Sequence, residues 1–151
     1  MFATLCMVSV TPDRRTGWVR MAGHLPPLLL AGGGVRELQT PTSPPLGLSQ
    51  VHDWPGTPVR LDGSWSVLMY TDGLIEGRIG KGSERLGSEG LMELIKDALR
   101  AAPEGNGQAG AGGTSADGRL LDRVIGHVRE LNGGDLDDDL AILALGYSPD
   151  R

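Results

Sequence analysis

Residues 66 to 77 read SVLMYTDGLIEG, an apolar run with the character of a buried strand that ends abruptly in an acid followed by glycine. Leaving a carboxylate unpaired in a protein interior costs several kcal/mol, so Asp72 at the end of a core strand needs a cation, a hydrogen-bond donor or open water beside it. The arrangement recurs in mirror image near the C-terminus. In DLDDDLAILALG the acids Asp137, Asp138 and Asp139 run straight into an apolar strand. If the two strands are antiparallel neighbours, their carboxylates meet at one sheet edge, and Asp72 and Asp138 are expected close enough to share a divalent ion or its waters. Oxygen-only donors suit hard ions such as Mg²⁺ or Mn²⁺. Each half has an ordinary alternative: Asp-Gly after a strand is turn chemistry, and three acids before a strand can be a solvated loop or a helix-to-strand connection. What points to a metal is the pair, with each acid abutting a core strand.

The remainder of the chain narrows the class. Its 151 residues suit one domain, and 14 Lys plus Arg against 19 Asp plus Glu give a net charge of −5 with no basic stripe, so nucleic acid is not an expected partner. A single cysteine, Cys6, rules out an internal disulfide or a cysteine-built metal cluster and fits a cytoplasmic chain. The N-terminus lacks signal-peptide character, and no stretch approaches a membrane-spanning length.

Residues 2 to 10 and the WVRMAG stretch, separated by TPDRRTG, read as a hairpin. Short strands follow in LLLA and VREL. QTPTSPPLGL carries too many prolines for regular structure, and PVRLDGSWSVLMY reads as two strands or as one interrupted at Asp62 and Gly63. The period then changes. With Ser88 as N-cap, Leu91, Leu94, Ile95, Ala98 and Leu99 recur at helical spacing, stopping before Pro103. Leu121, Val124, Ile125 and Val128 outline a second amphipathic helix that Gly133 and Gly134 stop. Between the helices, residues 103–118 read as a flexible glycine-rich loop; its G-x-G-x-x-G at Gly105, Gly107 and Gly110 follows a helix rather than a strand and is not a nucleotide-binding signal.

The blocks AGHLPPLLL, PPLGL, LMYTDGLIEGR, RLGSEGLMELI and DDDLAILAL occur in the order and spacing of a known family. The chain resembles SpoIIE-type metal-dependent serine/threonine protein phosphatases, the bacterial relatives of type-2C (PPM) phosphatases, over nearly its whole length. The resemblance implies an α+β fold, part of a four-layer αββα sandwich of mainly antiparallel sheet with two amphipathic helices. Residues 1–148 would form the C-terminal portion of that catalytic domain. It also implies a two-ion site, Mn²⁺ or Mg²⁺, hydrolysing phosphoserine or phosphothreonine without a covalent phosphoenzyme. On this sequence Asp72 and Asp138 match the metal ligands. Asp139 would support the site from outside the ligand shell, Asp137 could replace Asp138 if the register is off by one, and Gly73 matches a glycine that lets backbone approach the metal waters. The implied partner is a phosphorylated anti-sigma-factor antagonist of the STAS type, which makes sigma-factor regulation the expected setting.

Ahead of the A-G-H block, where the family carries G-D-x-x-D and D-[VM]-x-G-[HK]-G stretches, the second with the acid that bridges both metals, these residues have neither. The expectation is therefore an incomplete catalytic domain, from a misplaced gene start or a true truncation, and a non-catalytic phosphoprotein-binding remnant is the rival reading. Uncovered strands are then expected to favour self-association. Met21, where an Asn commonly precedes A-G-H, and Ala141, where a Thr or Ser often follows the acid pair, are smaller departures. His24 invites a general-acid role, but its plainer reading is a turn histidine bonded to backbone near the site. Arg78 reads as a loop cation or as a contact for a phosphoprotein. His52 and His127 read as surface residues.

Overall fold

A computed structural model describes residues 1–48, 50, 53–80, 83–101, 118–134, 136 and 139–149. Strands β1 (Leu5–Val10) and β2 (Thr16–Ala22) form the expected hairpin, with Leu5 opposite Ala22 and Val10 opposite Gly17. Its turn is held by Asp13, whose Oδ1 accepts from Thr11 Oγ1 at 2.6 Å and from the Arg15 N–H at 3.0 Å. Strands β3 (Leu28–Ala31) and β4 (Gly34–Glu37) make a second hairpin. The stretch around Asp62 and Gly63 resolves into two strands, β5 (Thr57–Arg60) and β6 (Trp65–Tyr70), with Gly63 at φ 65° between them. The final strand is β7 (Ile142–Tyr147).

The strands divide between two antiparallel sheets, one in the order β1-β2-β5 and the other β4-β3-β6-β7. The turn at Gly63 therefore carries the chain from one sheet to the other. On β6, Leu68 and Tyr70 face the helices while Trp65 and Val67 face the second sheet. A strand buried on both faces needs apolar residues at nearly every position, which is why SVLMY shows no alternation.

Helix α1 (Gly87–Arg100) buries Leu91, Ile95 and Ala98, and α2 (Gly118–Asn132) buries Leu120, Val124 and Val128, against Leu28, Leu30, Leu68 and Tyr70 of the four-stranded sheet. Val19, Met21, Val59 and Leu61 meet Leu29, Trp65 and Val67 between the sheets. The result is a three-layer α-β-β stack, the α+β architecture expected, with the outer face of the three-stranded sheet uncovered among the described residues.

Two boundaries differ from expectation. Ser88 does not cap α1: the helix starts at Gly87 without a side-chain cap, and Ser88 lies in its first turn. Backbone bonds from the Leu86 N–H to Gly77 O (3.1 Å) and from the Gly87 N–H to Ile75 O (3.0 Å) set this entry instead. At the other boundary, Gly118 is the first residue of α2 rather than the last of the loop. The rest of the expected loop, residues 103–117 with Gly105, Gly107 and Gly110, lies outside the described residues. Gly133 and Gly134 do stop α2, at φ 78° and 150°, with their N–H groups returning to Glu130 O and Arg129 O. No helix among the described residues is long and apolar enough to cross a membrane.

Candidate metal-binding strand end

Strands β6 and β7 are antiparallel neighbours, pairing from Trp65 with Tyr147 to Tyr70 with Ile142. The exit of one thus lies beside the entrance of the other, and Asp72 and Asp139 lie at the same edge. The contact extends one step past the strands. The Thr71 N–H donates to Ala141 O at 3.0 Å, the Ala141 N–H donates to Thr71 Oγ1 at 2.9 Å, and that hydroxyl donates to Asp139 O at 3.0 Å.

Asp72 opens a single 3-10 turn, Asp72–Leu74, that swings Leu74 into the helix-facing core and leaves the acid outward. Its carboxylate is exposed; Oδ1 accepts from the Gly73 N–H at 3.1 Å, and Oδ2 has no partner among the described residues. The carboxylate at the end of this core strand is therefore stabilised by one backbone donor and open water. Gly73 is buried and is not one of the residues at positive φ, so the ordinary turn explanation for a glycine after Asp does not apply to it. Tyr70, just before, buries its hydroxyl with no hydrogen-bond partner among the described residues; burial, and then the negative charge of Glu37, push its pKa up to about 12.

After the turn, the Ile75 and Glu76 N–H groups both return to Asp72 O at 2.9 Å. Arg85 Nη1 reaches Glu76 Oε2 at 2.6 Å, and Arg78 pairs with Arg85 across an isolated antiparallel bridge. The Arg78 N–H donates to Asn132 Oδ1 at 2.9 Å, which ties the loop to the end of α2 while leaving Arg78 itself exposed.

Asp139 is exposed and lies at this edge through its carbonyl; Asp137 and Asp138 lie outside the described residues. Among the described residues no group of three His, Cys, Asp or Glu could hold a metal ion. The donor chemistry nonetheless fits a hard divalent cation, since the Asp72 carboxylate faces solvent with no ion-pair partner among the described residues.

His24 stands before β3, whose pairing of Leu28 with Leu68 runs the preceding residues toward the Asp72 end of the sheet. Its Nδ1 lies 3.1 Å from Leu25 O, the backbone-bonded turn histidine of the plainer reading. The neighbouring glycine explains the block. Gly23 adopts φ 60°, its N–H donates to Ser43 O at 2.9 Å, and a Cβ there would come within 2.3 Å of Pro45. The AGHLPP and PPLGL blocks are therefore two sides of one packing contact. His127 is exposed, as expected, and His52 lies outside the described residues. Thr71 is the residue that sequence reasoning passed over; its signal was a hydroxyl at the last position before the acid, where a strand must hand its hydrogen bonds to a turn.

The family model for Stage II sporulation protein E matches residues 1–148. This chain belongs to the SpoIIE family. Solved structures agree with that membership. The RsbU and RsbW domains of Rv1364c from Mycobacterium tuberculosis are 27% identical, with a TM-score of 0.64 over 93% of this chain and 35% of that one. The SiaA-PP2C domain of Pseudomonas aeruginosa shares the fold at 19% identity and a TM-score of 0.69, over 94% and 50% of the two chains. So does the manganese-presoaked phosphatase domain of SpoIIE from Bacillus subtilis, at 14% and 0.64, over 97% and 57%. No curated protein matches this chain at a significant level. The chain thus spans between about a third and three fifths of the solved chains it resembles.

Proposed function

We propose that this chain supplies the Asp72 and Asp138 side of a divalent-metal site, Mn²⁺ or Mg²⁺, in a protein phosphatase that acts on phosphoserine or phosphothreonine of a bacterial regulatory protein. The single observation that carries the reading is the join between Thr71 and the Asp139–Ala141 segment, which brings the strand exit bearing Asp72 against the end of the acidic run. The similarity to RsbU, SiaA and SpoIIE domains supports a substrate of the STAS anti-sigma-antagonist type and a role in sigma-factor signalling. A cytoplasmic setting goes with such a substrate.

Asp72, with Asp138 or Asp137, would hold the ion. When bound, a pair of such ions supplies an activated water and offsets charge on the phosphoryl oxygens. The protein's own part would be to bring the strand exit bearing Asp72 against the Asp139–Ala141 segment and to hold it there through the Thr71 bonds. Gly73 donates its N–H to one Asp72 oxygen and so fixes the carboxylate plane.

A second reading, a phosphoprotein-binding module without turnover, is supported by the lack of the family's bridging-acid D-[VM]-x-G-[HK]-G stretch in these residues. One experiment separates the two. The chain is fused behind the G-D-x-x-D-bearing segment of a family member and assayed on a phosphoserine STAS protein with Mn²⁺. Metal-dependent phosphate release that Asp72→Asn abolishes supports the phosphatase reading; a fusion that binds Mn²⁺ and phosphoprotein yet releases no phosphate supports the binding module.

A further inference from the structure

In a regular antiparallel ladder, residues directly opposite each other alternate between pairs that exchange both backbone bonds, N–H to C=O in each direction, and pairs that exchange none. Thr71 and Ala141 make only half of this exchange. The Thr71 N–H donates to Ala141 O at 3.0 Å, but the Ala141 N–H goes to the Thr71 hydroxyl at 2.9 Å instead of to its carbonyl. The Thr71 carbonyl accepts instead from the Leu74 N–H at 3.1 Å and so opens the turn that carries Asp72. The hydroxyl, having accepted from Ala141, has its own proton left, which it donates to Asp139 O at 3.0 Å. A hydroxyl can donate one bond and accept two, so one side chain closes the ladder, releases the backbone for the turn and holds the last residue of the acidic run.

We propose that Thr71 is the positioning residue of the metal site: its hydroxyl sets where the Asp72 turn stands relative to the acidic entrance of β7. The proposal rests on the reading of Asp72 as a metal ligand. Valine at this position would keep the shape and the backbone donor but remove the hydroxyl that accepts from the Ala141 N–H and donates to Asp139 O. Serine would keep both bonds. Groups that orient a metal ligand without touching the ion typically change affinity about 10- to 100-fold when removed, and Thr71 belongs to that class.

The test uses the 151-residue chain with Mn²⁺ alone as probe, read by paramagnetic broadening of backbone amide signals, which registers weak binding. In the unmodified chain, broadening should centre jointly on Asp72–Gly73 and on Asp139–Ala141, with one midpoint. Thr71→Val should move that midpoint about tenfold higher and speed hydrogen exchange at Ala141, and Thr71→Ser should restore both. Two results overturn the proposal while leaving the metal site standing: a Thr71→Val midpoint equal to that of the unmodified chain, or a Thr71→Ser midpoint as weak as that of Thr71→Val. The serine variant decides the matter should the valine variant fail to fold. If Asp72→Asn leaves the broadening unchanged, or the unmodified chain shows none at these residues, the metal reading itself falls and the role of Thr71 falls with it.

Discussion

The indole Nε1 of Trp65 donates to the carbonyl oxygen of Arg14 at 3.1 Å, tying the first residue of β6 to the hairpin turn of the opposite sheet. Arg14 holds φ 60° there, and its guanidinium lies 4.9 Å from the centroid of the Tyr147 ring, which is itself tilted against Trp65 at 6.4 Å. This three-residue knot clamps the two sheets at one end of β6, and Asp72 projects from the other end, roughly 20 Å away at strand rise. Trp65→Phe should therefore lower stability by about 1–3 kcal/mol, through lost packing and an unpartnered Arg14 carbonyl. Chemical denaturation checks the loss, and Mn²⁺ broadening at Asp72 should be unchanged.

Tyr70 gives the fold a predictable alkaline limb. Its phenol titrates at about 12 in the folded chain against an ordinary value of 10.0, so the neutral form is favoured by folding. The contribution is complete below pH 10 and is lost as pH rises toward 12, with a slope of at most about 1.4 kcal/mol per pH unit. Cys6, raised by burial from 9.0 to about 11, adds a similar loss beginning one unit lower. Tyr70→Phe should remove the upper part of this limb. At pH 7 it should stabilise by on the order of 1 kcal/mol, because the hydroxyl it deletes is buried without a partner among the described residues. Melting curves from pH 7 to pH 11.5 for the wild type, Tyr70→Phe and Cys6→Ala check both the sign and the window.

Gly23→Ala should be among the most damaging small substitutions in the chain. Alanine at φ 60° is strained by about 1–3 kcal/mol, and its Cβ at 2.3 Å from Pro45 forces the proline loop away from the strand end. The expected outcome is a lower melting temperature together with loss of protection at the Gly23 amide, which now donates to Ser43. Gly32→Ala is the matched comparison: it bears the same φ strain at 57° with open space around its Cβ and should cost distinctly less.

The proposed self-association has a specific seat. On the edge strand β7, Leu143 and Leu145 point to the same side as Val67, yet they are 61% and 39% exposed where Val67 is 1% exposed. Leu5, Met7 and Trp18 add apolar surface on the outer face of the three-stranded sheet. Size-exclusion chromatography of the chain should show dimers or larger species, and Leu143→Lys should shift them toward monomer, since a charge on an edge strand opposes further pairing. A concentration-independent monomer for the unmodified chain would show that these leucines do not drive association.

Local chemistry made much of this structure readable. The helical period of Leu91, Ile95 and Ala98 and of Val124 and Val128 gave the helices and their buried faces, the Thr-Pro-Asp turn gave the first hairpin, and Gly133–Gly134 gave a helix stop. In each case the deciding interactions lie within a few residues of one another. Ser88 shows the limit of such reasoning: a good capping residue was overruled because the loop entering α1 was already bonded to Ile75 and Gly77.

The order of acids and apolar runs by itself determined that Asp72 would end a core strand, since burial of SVLMY leaves its charged neighbour nowhere but the end, and that Asp137 to Asp139 would precede a further strand; that this strand, β7, is a part-exposed edge rather than a core strand was not legible there. Only the tertiary structure decided that β6 and β7 are paired neighbours, that β5 and β6 belong to different sheets, and that the proline block closes over Gly23. It also decided that Ala141 bonds the hydroxyl of Thr71 rather than its carbonyl. These are contacts between residues as far apart in sequence as Trp65 and Tyr147, and their register depends on how two sheets and a helix layer bury a shared core. No local preference of Thr71 or Ala141 encodes that pairing; it follows from the packing that brings their strands together.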